Sequence, residues 1–381
     1  MALESIRRRG AQEPDRAEVE DAVIAAVEAD PEPFLAAYQQ HPSSFAGRYV
    51  CADLFKETFP EYAASPESRG RFNGVVHNAA AVLSSEQFRR VIADASDPDR
   101  DTAIFLTGIP GAGKTSFVLA GGDLDTKTRV IFEGQLVNPA TSIEKIGQAI
   151  DAGLKPVVLA VHPRPEDALA NTFRRFTETG RGAGIGVMAD IQGGLPDGLR
   201  AIERAFGDDV QLVVIDVRDR SRPQQHTGWD SLPVLQTEGN REQIHQRLSD
   251  ALEAHRAAGN ITDDCYRQAS GIPPRAQHTG LDRPRDAGGD ADARGRGEPR
   301  PGGGAPVLTK PADDGSYSGQ IVGLDAKTAT QIVAGKHVVH QLRYLTGSTG
   351  ALVTGNTVAI DYRGGIGKVA DPQQQTRGRT R

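Results

Sequence analysis

The sequence predicts an α/β protein: a parallel sheet with helices on both faces, followed by a small, mostly β C-terminal domain. Three observations predict it. Between residues 103 and 216 compact apolar runs alternate with amphipathic helical patterns, as in parallel strands joined by crossover helices. Near residue 276 the composition turns to Gly, Pro and mixed charge, with almost no large apolar side chains. Beyond residue 315 short β patterns return, punctuated by glycine.

Length and charge narrow the function classes. A chain of 381 residues has room for two or three domains and a sizeable core. A net charge of −6 argues against binding nucleic acid through bulk charge. Two cysteines, Cys51 and Cys265, exclude a disulfide scaffold and a Cys-built zinc site, and they suit a reducing, cytoplasmic setting. The N-terminal stretch MALESIRRRGAQEPDRAEVE has no apolar h-region. The longest apolar run, VVLAV at 157–161, is too short to span a bilayer, so no membrane partner is expected.

Element by element, residues 1–40 read as a charged helical lead, with Val19, Val23, Ile24 and Val27, then Phe34, Leu35 and Tyr38, at helical spacing. A P-loop domain is expected over 41–270. It opens with an apolar strand at Arg48–Ala52 and an Ala-rich helical stretch at 73–95. Ala103–Thr107 is a second strand, followed by a glycine-rich turn and a helix ending at Gly121-Gly122. Arg129–Phe132, Pro156–Val161 and Gln211–Asp216 are further strands, with helical patterns at 141–153, 165–178 and 197–207 between them. Residues 240–259 read as one more amphipathic helix. Residues 271–314 cannot bury enough surface to offset their ordering entropy and read as a flexible linker. Residues 315–370 read as the small β domain, and 371–381 as a disordered basic tail.

The motif Gly108-Ile-Pro-Gly-Ala-Gly-Lys-Thr115 is a full Walker A loop in its required context, after an apolar strand and before a helix. The expected nucleotide-binding set is Gly108, Gly111, Ala112, Gly113, Lys114, Thr115 and Ser116. The glycines let successive N–H groups turn toward phosphate oxygens, and the helix N-terminus adds its partial positive charge. Lys114 bridges the β- and γ-phosphates of ATP, and the Thr115 hydroxyl holds Mg²⁺. There is no guanine-reading NKxD segment and no Asp-rich Walker B strand. The next strand instead ends in a single acid, Glu133, at the edge where open α/β sheets bind ligands. Size and simple topology favour a small-molecule kinase and a P-loop kinase-like sheet.

Several segments together carry a resemblance: IFLTGIPGAGKTS, VIFEGQL, GLKPVVLAVH, NTFRRF and GLP. They are similar to the zeta toxin / UDP-N-acetylglucosamine kinase family over roughly residues 44–220. The resemblance implies transfer of the ATP γ-phosphate to a sugar 3′-hydroxyl, with UDP-N-acetylglucosamine or a like small molecule as acceptor. It also implies an antitoxin, or a conjugation-system protein, as partner. In that family the strand carrying the substrate Asp follows the P-loop helix. Here only VLAGGDLDTKTR stands in that place, whereas Tyr49-Val-Cys-Ala-Asp53-Leu-Phe-Lys56-Glu-Thr-Phe-Pro60-Glu-Tyr62, upstream of the P-loop, is similar to the missing piece. The expectation is a relocated segment that preserves the site in a permuted chain order.

On this resemblance Asp53 orients and deprotonates the attacking hydroxyl, its plain alternative being a helix N-cap. Glu133 binds substrate hydroxyls or a Mg²⁺-bound water, with a buried acid–lysine pair as its plain alternative, and Lys56 contacts substrate. Arg174, Arg175 and Arg181 are candidates to neutralise the transferring phosphoryl group. The family's R-Y helix favours Arg175, Arg181 is a looser match, and FRRFTETGRGAGIG has the composition of a mobile lid. His77 and His162 read as structural or surface residues with ligand contact as the alternative, Asp216 as a turn or adenine-side residue, and Cys51 and Trp229 as packing residues. The C-terminal SYSGQIVG, the V-x-H at 338–340 and VAIDY resemble a KfrB-type domain of plasmid-encoded proteins, which implies binding or targeting. The alternative to a kinase is an ATP-binding switch or partner protein of a plasmid conjugation or maintenance system.

Overall fold

β2 (Thr102–Thr107) lies inside a six-stranded sheet of order β1-β3-β2-β4-β5-β6, and the sheet's C-terminal edge carries every P-loop feature described below. The computed structural model describes residues 3–115, 124–275, 308–309, 315–324, 328–334, 336–342, 345–363 and 366–370. Ser116, most of the expected linker and the 371–381 tail fall outside the described residues. The chain divides into two compact units, Met1–Leu281 and Asp282–Arg381.

In the first unit β1 (Tyr49–Cys51), β3 (Thr128–Glu133), β2, β4 (Lys155–His162) and β5 (Gln211–Asp216) run parallel. Parallel strands are covered on both faces, which is why these segments are continuous apolar runs rather than alternating ones. Ala103, Phe105, Val130, Val158, Ala160, Leu212 and Val214 are fully buried. β6 (Gln224–Thr227) adds an antiparallel edge. The Arg48–Ala52 strand of the sequence reading is β1, and it precedes the P-loop in the chain yet pairs outside β3, with Cys51 opposite Glu133. A segment placed early in the sequence thus reaches the same sheet edge as the P-loop.

Helices α1 (Pro14–Ala29) and α2 (Glu32–Gln40) contribute to this unit's core. Val23, Ile24, Val27, Leu35 and Tyr38 are buried in it. The Tyr38 ring stacks on Phe55 at 3.6 Å, and its hydroxyl donates to the Tyr49 carbonyl at 2.5 Å and accepts from the Cys51 N–H at 2.9 Å. Those two bonds satisfy backbone groups of edge strand β1 and fix its end. Helix α3 (His77–Ala93) packs on β1 and β3, and α4 (Pro139–Asp151) on β4. Helix α5 (Pro165–Thr179) is followed by α6 (Ile185–Phe206), α7 (Arg241–Ala257) and α8 (Asp263–Ala269). A second apolar cluster of Leu169, Phe173, Met188, Ile244, Leu248 and Cys265 seats Ile109 of the P-loop.

α6 begins well before the 197–207 pattern, because Gly193, Gly194 and Pro196 lie inside it. Gly198 is there for close packing: a Cβ would stand 2.0 Å from the Leu136 carbonyl. The glycines of FRRFTETGRGAGIG lie in the short connection between α5 and α6. Gly180 closes α5 in the left-handed conformation, where a Cβ would meet the Pro66 carbonyl at 1.7 Å, and Gly182 lies against the Gln268 side chain. No helix among the described residues is long and apolar enough to cross a membrane.

The second unit is a seven-stranded, mostly antiparallel sheet of order β11-β13-β12-β8-β9-β10-β7. Its strands are β7 (Leu308–Thr309), β8 (Gly315–Leu324), β9 (Thr328–Val333), β10 (Lys336–Gln341), β11 (Leu345–Gly347), β12 (Thr357–Arg363) and β13 (Ile366–Val369). One residue from each of the three quoted motifs converges here: Tyr317 packs edge-on against His340 and Tyr362, and His340 stacks on Tyr362 at 5.7 Å. Gln331 spends both amide hydrogens on the Gly319 and Val358 carbonyls, so its Oε1 must accept from His340 Nε2 at 3.0 Å. His340 Nδ1 is left to accept from the Tyr362 hydroxyl at 3.1 Å. These residues make a closed, fully buried polar network, which is core architecture.

Candidate active site

The loop after β2 has the backbone of a phosphate cradle. Gly108, Gly111 and Gly113 adopt φ of +135°, +82° and +92°, a region that favours glycine. A Cβ at Gly108 would stand 2.5 Å from the Val161 carbonyl, and one at Gly111 would stand 2.2 Å from the Ala168 carbonyl. One at Gly113 would meet nothing within 4 Å. The first two glycines therefore let the loop lie against β4 and α5, and the third has no such neighbour among the described residues. Asn171 of α5 donates to the Gly111 carbonyl at 2.7 Å and pins the turn. The helix begins at Lys114-Thr115, so its N-terminal N–H groups point into the cradle.

Lys114 donates to the Gly108 and Ile109 carbonyls at 2.7 and 3.0 Å, and its Nζ lies 3.5 Å from Glu133 Oε1. The acid–lysine pair considered as the plain reading of Glu133 thus exists, and its lysine is the P-loop lysine. Glu133 also accepts from the Tyr49 hydroxyl. Burial, with Cys51 and Glu133 adding, raises the Tyr49 hydroxyl well above its ordinary value, so it stays protonated as a donor. Tyr49 was not among the residues selected from sequence.

Asp53 lies in the first helical turn after β1, and its carboxylate caps no helix. It pairs with Lys56 at 2.8 Å and with Arg181 at 3.7 Å. Lys56 is buried, and its second partner is Asn73 Oδ1 at 2.8 Å. Lys56 holds the Asp53 carboxyl well below the ordinary carboxylate range against the opposing pull of burial, and Arg181 and Arg175 add to the effect. Asp53 is therefore an anion at any working pH. Arg181 also reaches Glu57 at 4.0 Å, which is itself clamped by Arg69 through both carboxylate oxygens. Arg174 is exposed and lines a surface groove with Phe173, Thr177 and His255, away from Asp53.

The remaining candidates have structural partners. His162 Nε2 bonds the Thr237 hydroxyl at 3.2 Å, and Asp216 is held bidentately by Arg218. Burial lowers the His77 and His162 rings to about 4 and raises the Cys51 thiol to about 12, so at neutral pH all three are uncharged. Trp229 donates to the Gly207 carbonyl. The groove of about 620 Å³ beside Trp229 is lined by Val210, Gln211 and Leu212, at the opposite sheet edge from the P-loop. Among the described residues no group of three or more His, Cys, Asp or Glu side chains could hold a metal ion. The cradle, the lysine and the exposed Thr115 do fit a nucleotide phosphate with one Mg²⁺, a cation held through few protein oxygens and the phosphates themselves.

No family model matches the chain, and no curated protein does. Among solved structures, two of AvrRxo1-ORF1 in complex with AvrRxo1-ORF2 are similar to it. The native complex is 12% identical, with 56% of this chain and 89% of that chain covered at a TM-score of 0.33. The complex with sulphate ions is 11% identical, with 72% and 93% covered at a TM-score of 0.36. At these TM-scores the likeness carries no functional argument.

Proposed function

We propose that the first unit is an ATP-dependent phosphotransferase of the zeta toxin kind, moving the γ-phosphoryl group onto a hydroxyl of a UDP-N-acetylglucosamine-like acceptor. One observation carries the reading. Asp53, in the helical turn that follows a strand before the P-loop, and Lys114, from the P-loop itself, belong to one sheet edge, with Glu133 in register with Cys51 and 3.5 Å from Lys114. Two segments read separately from sequence end on the same side of one sheet, which supports the reading.

The chain's own groups support the chemistry. The loop amides and Lys114 hold the phosphates, Lys114 exchanging the Gly108 and Ile109 carbonyls for phosphate oxygens. Asp53, already ionised, accepts a hydrogen bond from the acceptor hydroxyl and aims its oxygen in line. So acidic a carboxylic acid is a weak base, which suits a loose transition state that needs positioning more than early proton removal. The acceptor oxygen bonds to the γ-phosphorus as the bond to the β–γ bridging oxygen breaks, ADP leaves, and the hydroxyl proton passes out through Asp53. Arg181, 3.7 Å from Asp53, and Arg175 lie where they can neutralise the transferring group. Thr115 would hold Mg²⁺, which would supply charge neutralisation on the phosphates. An antitoxin or conjugation-system partner, and a KfrB-like binding role for the second unit, belong to the same proposal.

The test is mass spectrometry of UDP-N-acetylglucosamine incubated with ATP, Mg²⁺ and the full chain, beside Lys114→Ala and Asp53→Asn. Phosphorylated product from wild type and from neither variant is the expected result. Product that persists in Asp53→Asn removes Asp53 from the acceptor site, and no ATP consumption with any sugar nucleotide rejects the kinase.

A further inference from the structure

Lys56 is buried, yet it carries an ammonium group, and a charge taken out of water is costly unless partners compensate it. Asp53 Oδ1, three residues back on the same helical turn, accepts from it at 2.8 Å. Asn73 Oδ1 accepts from it at 2.8 Å as well. An ammonium only donates, so the Asn73 amide must present its oxygen here. Asn73 stands at the C-cap of the short helix Pro66–Phe72. Arg69 of that helix clamps Glu57, next to Lys56, and its Pro66 carbonyl lies against Gly180, next to Arg181. One helix thus ties down both flanks of Asp53.

A well-packed apolar side chain would serve stability as well as a buried ion pair does. What the ammonium adds is direction. Lys56 engages Oδ1 and leaves Oδ2, whose distance of 3.7 Å to Arg181 is a charge contact too long for a hydrogen bond. The Asp53 side chain is 45% exposed and that of Lys56 is 3% exposed, so an acceptor meets the aspartate and reaches the lysine only through it.

We propose that Lys56, held by Asn73, is a positioning residue that fixes Asp53 Oδ1 and presents Oδ2 to the acceptor hydroxyl. This rests on the phosphotransferase reading, in which Asp53 aims the acceptor. Initial rates of the full chain with ATP, Mg²⁺ and UDP-N-acetylglucosamine test it. Lys56→Met keeps the buried stem and removes the charge. The expected result is kcat lowered about a hundredfold, the loss that a misplacement of about 1 Å brings, with KM for UDP-N-acetylglucosamine within about threefold of wild type. Asn73→Ala keeps the lysine and removes its second hold, and is expected to lower kcat about tenfold, as for one hydrogen bond to a charged group. It carries the test if Lys56→Met fails to fold. A raised KM at wild-type kcat makes Lys56 a substrate contact and overturns the inference, as does wild-type kcat in both variants. Urea unfolding followed by Trp229 fluorescence needs no turnover. Asp53→Asn strands the ammonium, so adding Lys56→Met to it is expected to raise the unfolding midpoint. A midpoint that instead falls as far as Lys56→Met lowers it in the wild-type background overturns the pairing. If the wild type transfers nothing to UDP-N-acetylglucosamine, the acceptor reading fails, and the inference falls with it even where the unfolding cycle shows the pair.

Discussion

Gly111 and Gly113 have similar backbones and opposite surroundings, so an alanine at each separates the loop's structural role from its ligand role. Both lie at positive φ, +82° and +92°. A side chain there costs about 1–2 kcal/mol from backbone strain alone. At Gly111 the added methyl would also meet the Ala168 carbonyl at 2.2 Å and Thr172 Cγ2 at 3.2 Å. The carbonyl belongs to the backbone of α5 and cannot swing aside, so the loop or the helix must shift, adding about 1–3 kcal/mol of overpacking. At Gly113 nothing lies within 4 Å, and strain is the whole cost. Gly111→Ala is therefore expected to destabilise the first unit by about 2–5 kcal/mol and Gly113→Ala by about 1–2 kcal/mol.

The assay is built into the chain. Trp229 is its single tryptophan and belongs to the first unit, so urea unfolding followed by its fluorescence reports that unit alone. Binding of a fluorescent ATP analogue gives the second axis. Gly113→Ala strains the backbone beside Lys114 without a packing clash among the described residues, so it is expected to lose at least tenfold in affinity while remaining the more stable variant. Equal unfolding midpoints for the two variants, or wild-type analogue binding by Gly113→Ala, would refute the separation of the packing glycine from the cradle glycine.

Two further outcomes follow from groups outside the candidate site. Burial lowers the His340 ring to about 4, whereas an exposed histidine titrates near 6.5. Below pH 6.5 the unfolded chain therefore binds a proton that the folded second unit refuses. The stability of this unit is full above that pH and falls by about 2 kcal/mol between pH 7 and pH 5. Hydrogen exchange across Thr357–Arg363, corrected for intrinsic rates, should show the loss, His340→Gln should abolish its pH dependence, and equal protection at both pH values would count against it. Glu20, 3% exposed, accepts the backbone N–H groups of Arg9, Gly10 and Ala11. Glu20→Ala orphans these donors, at a cost of about 1–3 kcal/mol, and should hasten tryptic cleavage after Arg7, Arg8 and Arg9, whereas unchanged cleavage would show the segment to be held by other contacts.

What was legible in the sequence had a local cause. The five parallel strands are continuous apolar runs because both faces of the sheet are covered, and the P-loop declares itself because the glycines, the lysine and the hydroxyl occupy fixed spacings. Asp53 and Glu133 were legible as acids at the ends of apolar strands. β6 was not, because Gln224–Thr227 is an exposed polar edge with no hydrophobic pattern to mark it. The full extent of α6 was hidden by Gly193, Gly194 and Pro196, whose signals for a break were overridden by burial of Ile191, Gln192, Leu195 and Leu199. The apolar spacing of residues 1–40 predicted helices and left open what they cover, namely the end of β1. Tyr49 shows the limit most sharply. Within its own strand it is an ordinary aromatic β residue. It becomes part of the site only because the parallel register sets Tyr49 opposite Ile131 and Cys51 opposite Glu133, which puts its long side chain diagonally across from the carboxylate on the same face. Register between segments some eighty residues apart has no trace in either one read alone, so the Tyr49 hydroxyl's bond to Glu133 is found only when the strands are paired.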